Sequence, residues 1–398
     1  MKQTIRKIIT ASILAFTAGC QSSPAESSAA LPEIRNYATQ HETEFGGVYI
    51  EIGIDEFNDL GFSYGDSVDV IFSNGYRLED IPYYNGYYVA AGEALLIAYP
   101  GYDYIKAAVN YGNDLWETAG LQAVNGEIQK KENLWLKAGL QEHDTADIVL
   151  REKGKYKDIQ EARDIHYSDE RVKYDSDVMF ANFRPVNMGS LAENMVYRSA
   201  SPCDNQHKRA PYVDQLMKEA GVKAILNLSD NDAKIEGYIS RDDFDCPYFL
   251  SLYENGTVFP IALNMNYLSD EFAQKIAQGF TELAKTEGPY LIHCTEGKDR
   301  TGFVCMLVEM LAGAEYQEIA DDYMVTYANY YRITEESEPV KYRTILEMNL
   351  DAMMCFVTGK TKEELVTADL VKSAEEYLLK NGMTKEDLKL FRSRIMKE

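Results

Sequence analysis

Short apolar runs and amphipathic segments alternate along the second half of the chain. Residues 224–228 and 290–292 form apolar runs of the length expected for buried strands. Between them, apolar positions at helical spacing predict a helix that begins after Ser269. Residues 303–311 are apolar on nearly every side, which predicts a buried central helix. Further helical patterns continue to the C-terminus, so residues 179–398 are predicted to form an α/β domain with a helix-rich end.

The first half has a different pattern, in which short strand-like runs are separated by turns rich in glycine and tyrosine. Val68, Val70 and Phe72 alternate with polar positions, whereas residues 94–99 and 104–109 are more continuously apolar. Short strands at this close spacing predict a small β-barrel or sandwich. No cluster of catalytic residue types is visible there, so we interpret it as a structural or substrate-positioning domain. A carbohydrate- or ligand-binding module is the alternative.

The N-terminus has the pattern of an export signal. Positive residues precede a short apolar stretch, which predicts a signal peptide. The sequence Thr-Ala-Gly-Cys that ends at Cys20 is similar to a bacterial lipoprotein processing site, so Cys20 is predicted to carry acyl chains. The protein is then expected to be exported and membrane-anchored at the cell surface or in the periplasm, with secretion as the alternative. The predicted order is a signal peptide (1–19), a lipidated tether (20–34), an accessory β-rich domain (35–156), a charged linker (157–178) and an α/β domain (179–398).

Composition narrows the range of partners. The formal net charge is -24 and the sequence contains no basic run. Both features argue against nucleic acid binding and against electrostatic docking to anionic membranes. The six cysteines and five histidines are scattered without metal-ligand spacing, so neither a metal nor another cofactor is predicted. The sequence indicates no particular oligomeric state.

A polar, glycine-containing loop joins the apolar run at 290–292 to the apolar helix at 303–311. A strand, a tight loop and a helix N-terminus together collect backbone N–H groups around an anion. Cys294 begins this loop and is the predicted nucleophile, because a helix N-terminus stabilises the thiolate form of cysteine. Arg300 presents a planar fork that matches two phosphate oxygens. The loop is therefore predicted to accept a phosphoryl group.

Other residues of the loop support this chemistry. Thr301 is expected to donate its hydroxyl to the thiolate, and His293 is expected to hold the loop through hydrogen bonds of its ring. Gly297 gives the backbone room to turn and approach the ligand. The backbone N–H groups predicted to bind phosphate belong to Thr295, Glu296, Gly297, Lys298, Asp299 and Arg300.

A departing alcohol or phenol needs a proton, so a general acid is required. Asp299 is the first choice because it lies inside the loop, next to Arg300. The alternative role for this carboxylate is to position the arginine. Asp230, Asp232 and Asp270 on neighbouring segments are the other candidates for the acid.

The sequence His-Cys-x5-Arg-Thr-Gly at residues 293–302 resembles the active-site motif of the cysteine-dependent protein tyrosine and dual-specificity phosphatases. Its inner Gly-Lys-Asp is similar to a bacterial secreted branch whose members act on phosphotyrosine and often on phosphoinositides. Pro185 departs from the family, which often has aspartate there. The resemblance implies the cysteine-dependent phosphatase fold for residues 179–398, a parallel-rich sheet flanked by helices. Weaker matches occur upstream in the family's order, at residues 182–184, 197–199 and 221–223.

The activity implied by the resemblance is hydrolysis of phosphate monoesters through a cysteinyl-phosphate, without a cofactor. The implied substrates are phosphotyrosine protein, phosphoinositides or both. Lys298 favours inositol lipids because it adds positive charge, whereas Glu296 and the acidic composition disfavour them. A non-catalytic phosphate-binding surface lipoprotein, and an arsenate-reducing or sulfur-transfer enzyme on the same loop, are the alternatives.

Overall fold

The computed structural model describes residues 31–43, 45–122 and 144–397. The predicted signal peptide at 1–19, Cys20 and most of the predicted tether lie outside the described residues. Within those described ranges, no helix has the length and apolar character needed to cross a membrane.

The N-terminal strands close into a barrel in the order β1-β2-β6-β5-β4-β3-β7. All neighbouring pairs are antiparallel except β4 and β5, which are parallel. Alternate residues such as Val48, Ile50, Val68 and Val70 point inward and are fully buried, as a closed barrel with a filled interior requires. The strands are β1 (Glu33–Glu42), β2 (Gly47–Gly53), β3 (Ser67–Phe72), β4 (Arg77–Tyr84), β5 (Ala94–Ile97), β6 (Tyr104–Val109) and β7 (Thr145–Glu152), with short helices α1 (Ile54–Asp59) and α2 (Leu115–Ala119).

The expected β-rich N-terminal domain is therefore confirmed, although β1, β2 and β4 carried too weak a signal to predict. The pairing register of β1 shifts between Ile34 and Tyr37, and such a bulge interrupts the alternation of inward and outward residues. In β4 the last four residues are all buried, so this strand also lacks an alternating pattern. The strands predicted from alternation or from continuous apolar runs, β3, β5 and β6, are all present, and another short apolar run, residues 148–150, lies in β7.

A second sheet of five strands has the order β11-β10-β12-β9-β8, with β12 at its centre. The pairs that involve β9, β10, β11 and β12 are parallel, and β8 pairs antiparallel with β9. Ser199, Asn227 and His293 lie side by side where three of these strands end. The segments that follow them therefore meet at one edge of the sheet, which is where ligands bind in open parallel sheets. The strands are β8 (Arg184–Pro185), β9 (Val196–Ser199), β10 (Ala224–Asn227), β11 (Val258–Pro260) and β12 (Tyr290–His293).

Helices surround this sheet and dominate the C-terminus, so the predicted mixed α/β class is confirmed. A short π-helical stretch, Leu346–Asp351, interrupts one long C-terminal helix. The helices are α3 (Lys157–Arg163), α4 (Asp177–Phe180), α5 (Ala210–Glu219), α6 (Asp232–Ile239), α7 (Pro247–Glu254), α8 (Asp270–Lys285), α9 (Asp299–Leu311), α10 (Tyr316–Tyr331), α11 (Pro339–Ile345), α12 (Ala352–Thr358), α13 (Leu370–Lys380) and α14 (Lys385–Ile395), with 3-10 turns at Arg171–Lys173 and Lys362–Thr367.

Helix α9 forms the centre of the C-terminal domain, and every residue from Thr301 to Leu311 is buried. Ser269 caps α8 as predicted, because its hydroxyl accepts a hydrogen bond from the Phe272 N–H at 3.3 Å. Residues 232–263 fold into α6, α7 and the edge strand β11. From Pro32 onward the described chain forms one compact unit, so the barrel and the α/β domain share contacts.

Candidate active site

The loop between β12 and α9 places Cys294 directly after the central strand, at 3% exposure. Helix α9 begins five residues later, so its N-terminus faces back into the loop. The carbonyl groups of residues 295–297 accept hydrogen bonds from the surrounding structure, and the Lys298 carbonyl accepts the first hydrogen bond of α9. These bonds run from the Ser201 N–H to Thr295 (3.1 Å), from the Tyr330 hydroxyl to Glu296 (2.8 Å), from Asn182 and Arg198 to Gly297 (3.2 Å each) and from the Gly302 N–H to Lys298 (2.8 Å).

The N–H groups of the same loop are arranged differently. Among the described residues, none accepts a hydrogen bond from the backbone N–H groups of residues 295–300. Carbonyls fixed outward leave N–H groups turned towards the middle of the loop, which is the arrangement of an anion-binding nest. Gly297 makes this turn possible with a φ of +70°.

Buried ionic groups behind the loop hold the Gly297 carbonyl in place. The Arg198 guanidinium, 1% exposed, forms an ion pair of 2.6 Å with Asp322. Arg184 pairs with the other carboxylate oxygen at 2.9 Å and donates to the Asn182 side chain at 2.7 Å. Burial alone would raise the pKa of Asp322, but the two guanidinium groups lower it to about 2. Asp322 therefore stays ionised and keeps both arginines oriented towards the loop.

Arg300 lies along one side of the loop. Its Nη1 donates to the Leu263 carbonyl at 3.1 Å, and its Nη2 donates to the Thr295 hydroxyl at 3.2 Å. Three of the seven buried side-chain atoms that lack a hydrogen-bond partner among the described residues belong to residues that flank this loop: Arg300 Nε, Thr301 Oγ1 and His293 Nε2. Buried polar atoms are normally satisfied, so a cluster of unsatisfied ones indicates a site for a polar ligand.

His293 is completely buried at the end of β12. Its Nδ1 lies 3.2 Å from the Cys294 carbonyl oxygen. Burial, with the Arg300 charge nearby, lowers the pKa of His293 to about 4. The ring is therefore neutral at physiological pH, and it contributes shape and a hydrogen bond to the loop, without positive charge.

Lys298 and Glu296 form a charged pair beside the loop. The Lys298 Nζ lies 3.3 Å from Glu296, 3.7 Å from Asp299 and 3.2 Å from the Tyr331 hydroxyl. Burial would lower the pKa of Lys298, but these acidic and phenolic neighbours raise it. Burial would likewise raise the pKa of Glu296, but Lys298 and the Tyr167 hydroxyl, which donates at 2.7 Å, lower it. Both groups are ionised, and much of the lysine charge is offset locally.

A cavity of about 610 Å³ adjoins the loop, and Lys298, Asp299 and Arg300 contribute to its lining. Cys294 does not line this cavity. Asp299 is 43% exposed and is the carboxylate of the loop that faces the open space. Of the acid candidates from the sequence, Asp299 lines this cavity, whereas the other three do not: Asp230, Asp232 and Asp270.

The remaining acid candidates have other partners. Asp230 is buried and accepts hydrogen bonds from the Asn227 side chain at 3.1 Å and from the Tyr238 hydroxyl at 3.2 Å. Asp232 accepts from the Tyr253 hydroxyl at 3.2 Å. In the part of the chain that the structure describes, His, Cys, Asp and Glu side chains form no group of three or more that could hold a metal ion.

Sequence reasoning missed the groups behind and above the loop. Asn182 and Arg198 lie in the two upstream segments that resemble the family, residues 182–184 and 197–199, but the sequence assigned neither residue a role. In the structure, both side chains donate hydrogen bonds to the Gly297 carbonyl. Nothing in the sequence indicated that Asp322 has a role. It follows Asp321 on α10, and only the structure shows that Asp321 is exposed whereas Asp322 is buried. The predicted linker also contributes, since the Tyr167 hydroxyl reaches Glu296.

Comparison with known proteins agrees with this geometry. The model of the tyrosine phosphatase family matches residues 181–397, which is more than half of the chain. The chain therefore belongs to the tyrosine phosphatase family. A tyrosine-protein phosphatase from Nostoc commune is 32% identical over 119 residues, which cover 27% of this chain and 40% of that relative. The chain thus spans well under two thirds of the length of this curated relative.

Solved structures with detectable similarity share low sequence identity. The core catalytic domain of the PP-IP phosphatase Siw14 from S. cerevisiae, in complex with citrate, is 18% identical, with a TM-score of 0.26 over 43% of this chain and 88% of that chain. An uncharacterized conserved protein from Thermotoga maritima is 17% identical, with a TM-score of 0.20 over 28% of this chain and 35% of that chain.

Proposed function

We propose that this protein hydrolyses phosphate monoesters through a cysteinyl-phosphate intermediate, with phosphotyrosine protein or phosphoinositides as substrates. The observation that carries the proposal is the opposite orientation of carbonyl and N–H groups around Cys294. The loop carbonyls are fixed outward by hydrogen bonds, and the N–H groups of residues 295–300 are left for an anion. Arg300 adds a cationic donor at the rim of this ring.

In the first step, the Cys294 thiolate attacks phosphorus in line with the leaving oxygen. The sulfur–phosphorus bond forms as the bond from phosphorus to the leaving oxygen breaks, and the electron pair goes to that oxygen. The loop N–H groups and Arg300 stabilise the charge on the equatorial oxygens. Asp299 supplies a proton to the leaving oxygen, so that an alcohol or a phenol departs.

In the second step, water hydrolyses the cysteinyl-phosphate. Asp299, now a carboxylate, takes a proton from the water as its oxygen attacks phosphorus. The sulfur–phosphorus bond breaks, inorganic phosphate leaves and Cys294 returns to its starting state. Thr301 lies on the first turn of α9 with a buried, unsatisfied hydroxyl. That hydroxyl is available to donate to the sulfur when the bond to phosphorus breaks.

Trapping the intermediate tests this proposal. When the enzyme is quenched in acid-free denaturant during turnover of p-nitrophenyl phosphate, we expect phosphate on the peptide that contains Cys294. Phosphocysteine is stable enough at neutral pH to be located by mass spectrometry. If turnover proceeds and the phosphate is found on another residue, the assignment of the nucleophile is wrong. If no phosphomonoester is turned over, the proposed function is wrong.

The acid role of Asp299 predicts an effect that depends on the leaving group. In Asp299→Asn, kcat for phenyl phosphate should fall about 10²-fold, because general acid catalysis contributes roughly this factor or more. The loss should be much smaller for a substrate whose leaving phenol is strongly acidic and departs without a proton. Steady-state kinetics on a series of aryl phosphates measure this dependence, as the slope of log kcat against the acidity of the leaving phenol.

Asp270→Asn is the matched control for this experiment. Asp270 lies in the first turn of α8 and does not line the cavity, so its removal should change kcat by less than about twofold for every leaving group. A leaving-group-dependent loss in Asp270→Asn, together with normal slopes in Asp299→Asn, would move the acid role to Asp270.

A further inference from the structure

The barrel supplies one wall of the cavity that adjoins the catalytic loop. Its contribution comes from two turns, one between β4 and β5 and the other directly after β6. The lining residues of the barrel that the following argument uses are Tyr88, Glu93, Asn110 and Tyr111. They face Lys298, Asp299 and Arg300 across the same space. The accessory domain therefore lies against the site that carries out the proposed chemistry.

The two turns are fastened to each other. The Asn110 side chain donates to the Val89 carbonyl at 2.7 Å, and the Asn110 N–H donates to the Glu93 carbonyl at 2.9 Å. The Gly92 N–H donates in return to the Asn110 carbonyl at 2.6 Å. Because these bonds join the turns at both ends, the wall presents a fixed surface to the cavity.

Tyr111 combines a strained backbone with an exposed aromatic side chain, and this combination is typical of a binding residue. Its φ is +47°, a backbone conformation that bulky side chains rarely adopt. Its side chain is 54% exposed, so packing in a core does not compensate for this strain. Burial of its hydroxyl and the Asp299 charge both raise the pKa of Tyr111, which agrees with a phenol held close to the acid candidate.

The linker connects this wall to the α/β domain. The Arg163 guanidinium lies over the Tyr88 ring at 5.7 Å and also donates to the Asn349 side chain. Asn349 belongs to the π-helical stretch and donates in turn to the Tyr327 hydroxyl at 2.9 Å. Single π-helical turns occur frequently at functional sites, and here three residues of the stretch, Glu347, Met348 and Asn349, line the cavity.

The chemistry of the lining selects among the proposed substrates. Its described cations, Arg163, Lys298 and Arg300, are matched by three carboxylates. Lys298 pairs with an acid and Arg163 is held by Asn349, so a second or third phosphate on an inositol ring would meet balanced charge. The rest of the lining is largely aromatic and apolar. The carboxylates are Glu93, Asp299 and Glu347, and the aromatic residues are Tyr87, Tyr88, Tyr111, Tyr267, Phe272, Phe303, Tyr323, Tyr327 and Tyr331.

We propose that the barrel is part of the active site, and that Tyr88 and Tyr111 contact the leaving-group side of the substrate. The substrate that fits is an aryl phosphate whose ring continues into a chain, such as phosphotyrosine within a peptide. The phosphate enters the loop, and the ring and flanking residues lie in the aromatic cavity between the two domains. This inference rests on the proposed phosphatase function and assigns its substrate class.

Kinetics of Tyr111→Ala in the full chain test the inference. We expect KM for a phosphotyrosine peptide to rise roughly five- to tenfold, the loss typical of one aromatic contact, while kcat falls less than about threefold. Tyr111→Phe should keep most of the affinity, because the ring remains. Tyr99→Ala is the matched control, since Tyr99 is a barrel tyrosine of 46% exposure that does not line the cavity. It should leave KM within about twofold of wild type.

The outcomes separate this inference from the function on which it rests. If wild type releases phosphate from the peptide but Tyr111→Ala has an unchanged KM, or Tyr99→Ala shows the same rise, the barrel has no role in binding. If wild type prefers a short-chain phosphatidylinositol trisphosphate over the peptide in kcat/KM, the assigned substrate class is wrong. Wild type that releases no phosphate from any of these substrates contradicts the phosphatase function itself. Urea unfolding midpoints that match wild type show that each variant is folded.

Discussion

Replacement of Cys294 by serine should abolish phosphate release from p-nitrophenyl phosphate and from phosphotyrosine peptides. The proposed first step needs a thiolate, and a serine hydroxyl buried at the same point stays protonated and is a poor nucleophile. Loss of a catalytic nucleophile costs about 10⁴-fold or more in kcat. Initial-rate assays with enough enzyme to detect residual turnover at that level provide the measurement.

Binding should survive this change, because the groups that hold the anion are elsewhere. The loop N–H groups and Arg300 do not depend on the sulfur. Isothermal titration of Cys294→Ser with inorganic phosphate or vanadate should therefore still show binding. Cys355→Ser is the matched control, since Cys355 is a partly exposed free cysteine that does not line the cavity. Its activity should stay within about twofold of wild type, and Cys294→Ser with near-normal turnover would contradict the mechanism.

The catalytic loop could be predicted from the sequence because its signals are local. An apolar strand, a glycine-containing turn and an apolar helix follow one another within about 20 residues, and the chemical residues lie among them. Strand β12, helix α9 and the burial of Cys294 at their junction all agree with that pattern. The positions of the proposed nucleophile, arginine and acid depend on this short segment alone.

The support of the loop could not be predicted in the same way, because it depends on long-range contacts. Arg198 meets Asp322 across 124 positions of the sequence. In a sequence, a buried ion pair cannot be distinguished from two surface charges, since its burial follows from how a strand and a helix pack. Asp322 is 2% exposed, and removal of such a partner leaves an uncompensated buried charge.

The role of the barrel could not be predicted for a related reason. The chain contains 29 tyrosines, and nothing in the local sequence separates Tyr111, in the cavity wall, from Tyr99, outside it. The interpretation of Lys298 also changes with the structure. On the sequence alone, its positive charge favoured inositol lipids as substrates, but Glu296 at 3.3 Å offsets that charge. The proposed specificity therefore depends on how the domains pack, whereas the proposed chemistry depends on one loop.

Gly297→Ala should also have a large effect, because it acts on the geometry that the proposed chemistry needs. A Cβ at residue 297 would overlap the Ser199 carbonyl and lie 2.8 Å from the Ala200 nitrogen, both of them backbone atoms that cannot rotate away. The loop must then shift, and the hydrogen bonds from Asn182 and Arg198 to the Gly297 carbonyl are lost. We expect kcat/KM to fall on the order of 10²-fold, since displacements near 1 Å have costs of this size.

Gly256→Ala separates this steric effect from backbone strain. Gly256 has a φ of +72°, close to the +70° of Gly297, but a Cβ there meets no heavy atom within 4 Å. Gly256→Ala should therefore lose about 1 kcal/mol of unfolding free energy from the left-handed backbone, as measured by urea denaturation. Gly297→Ala should lose more, because the overlap with residues 199 and 200 and the lost hydrogen bonds add to this strain. Gly256→Ala should keep wild-type kcat/KM, because Gly256 precedes β11 at the end of the sheet opposite to the loop. Equal activities of the two variants would show that the outward fixing of the Gly297 carbonyl does not matter for catalysis, and the argument from the loop amides would then lose its physical basis.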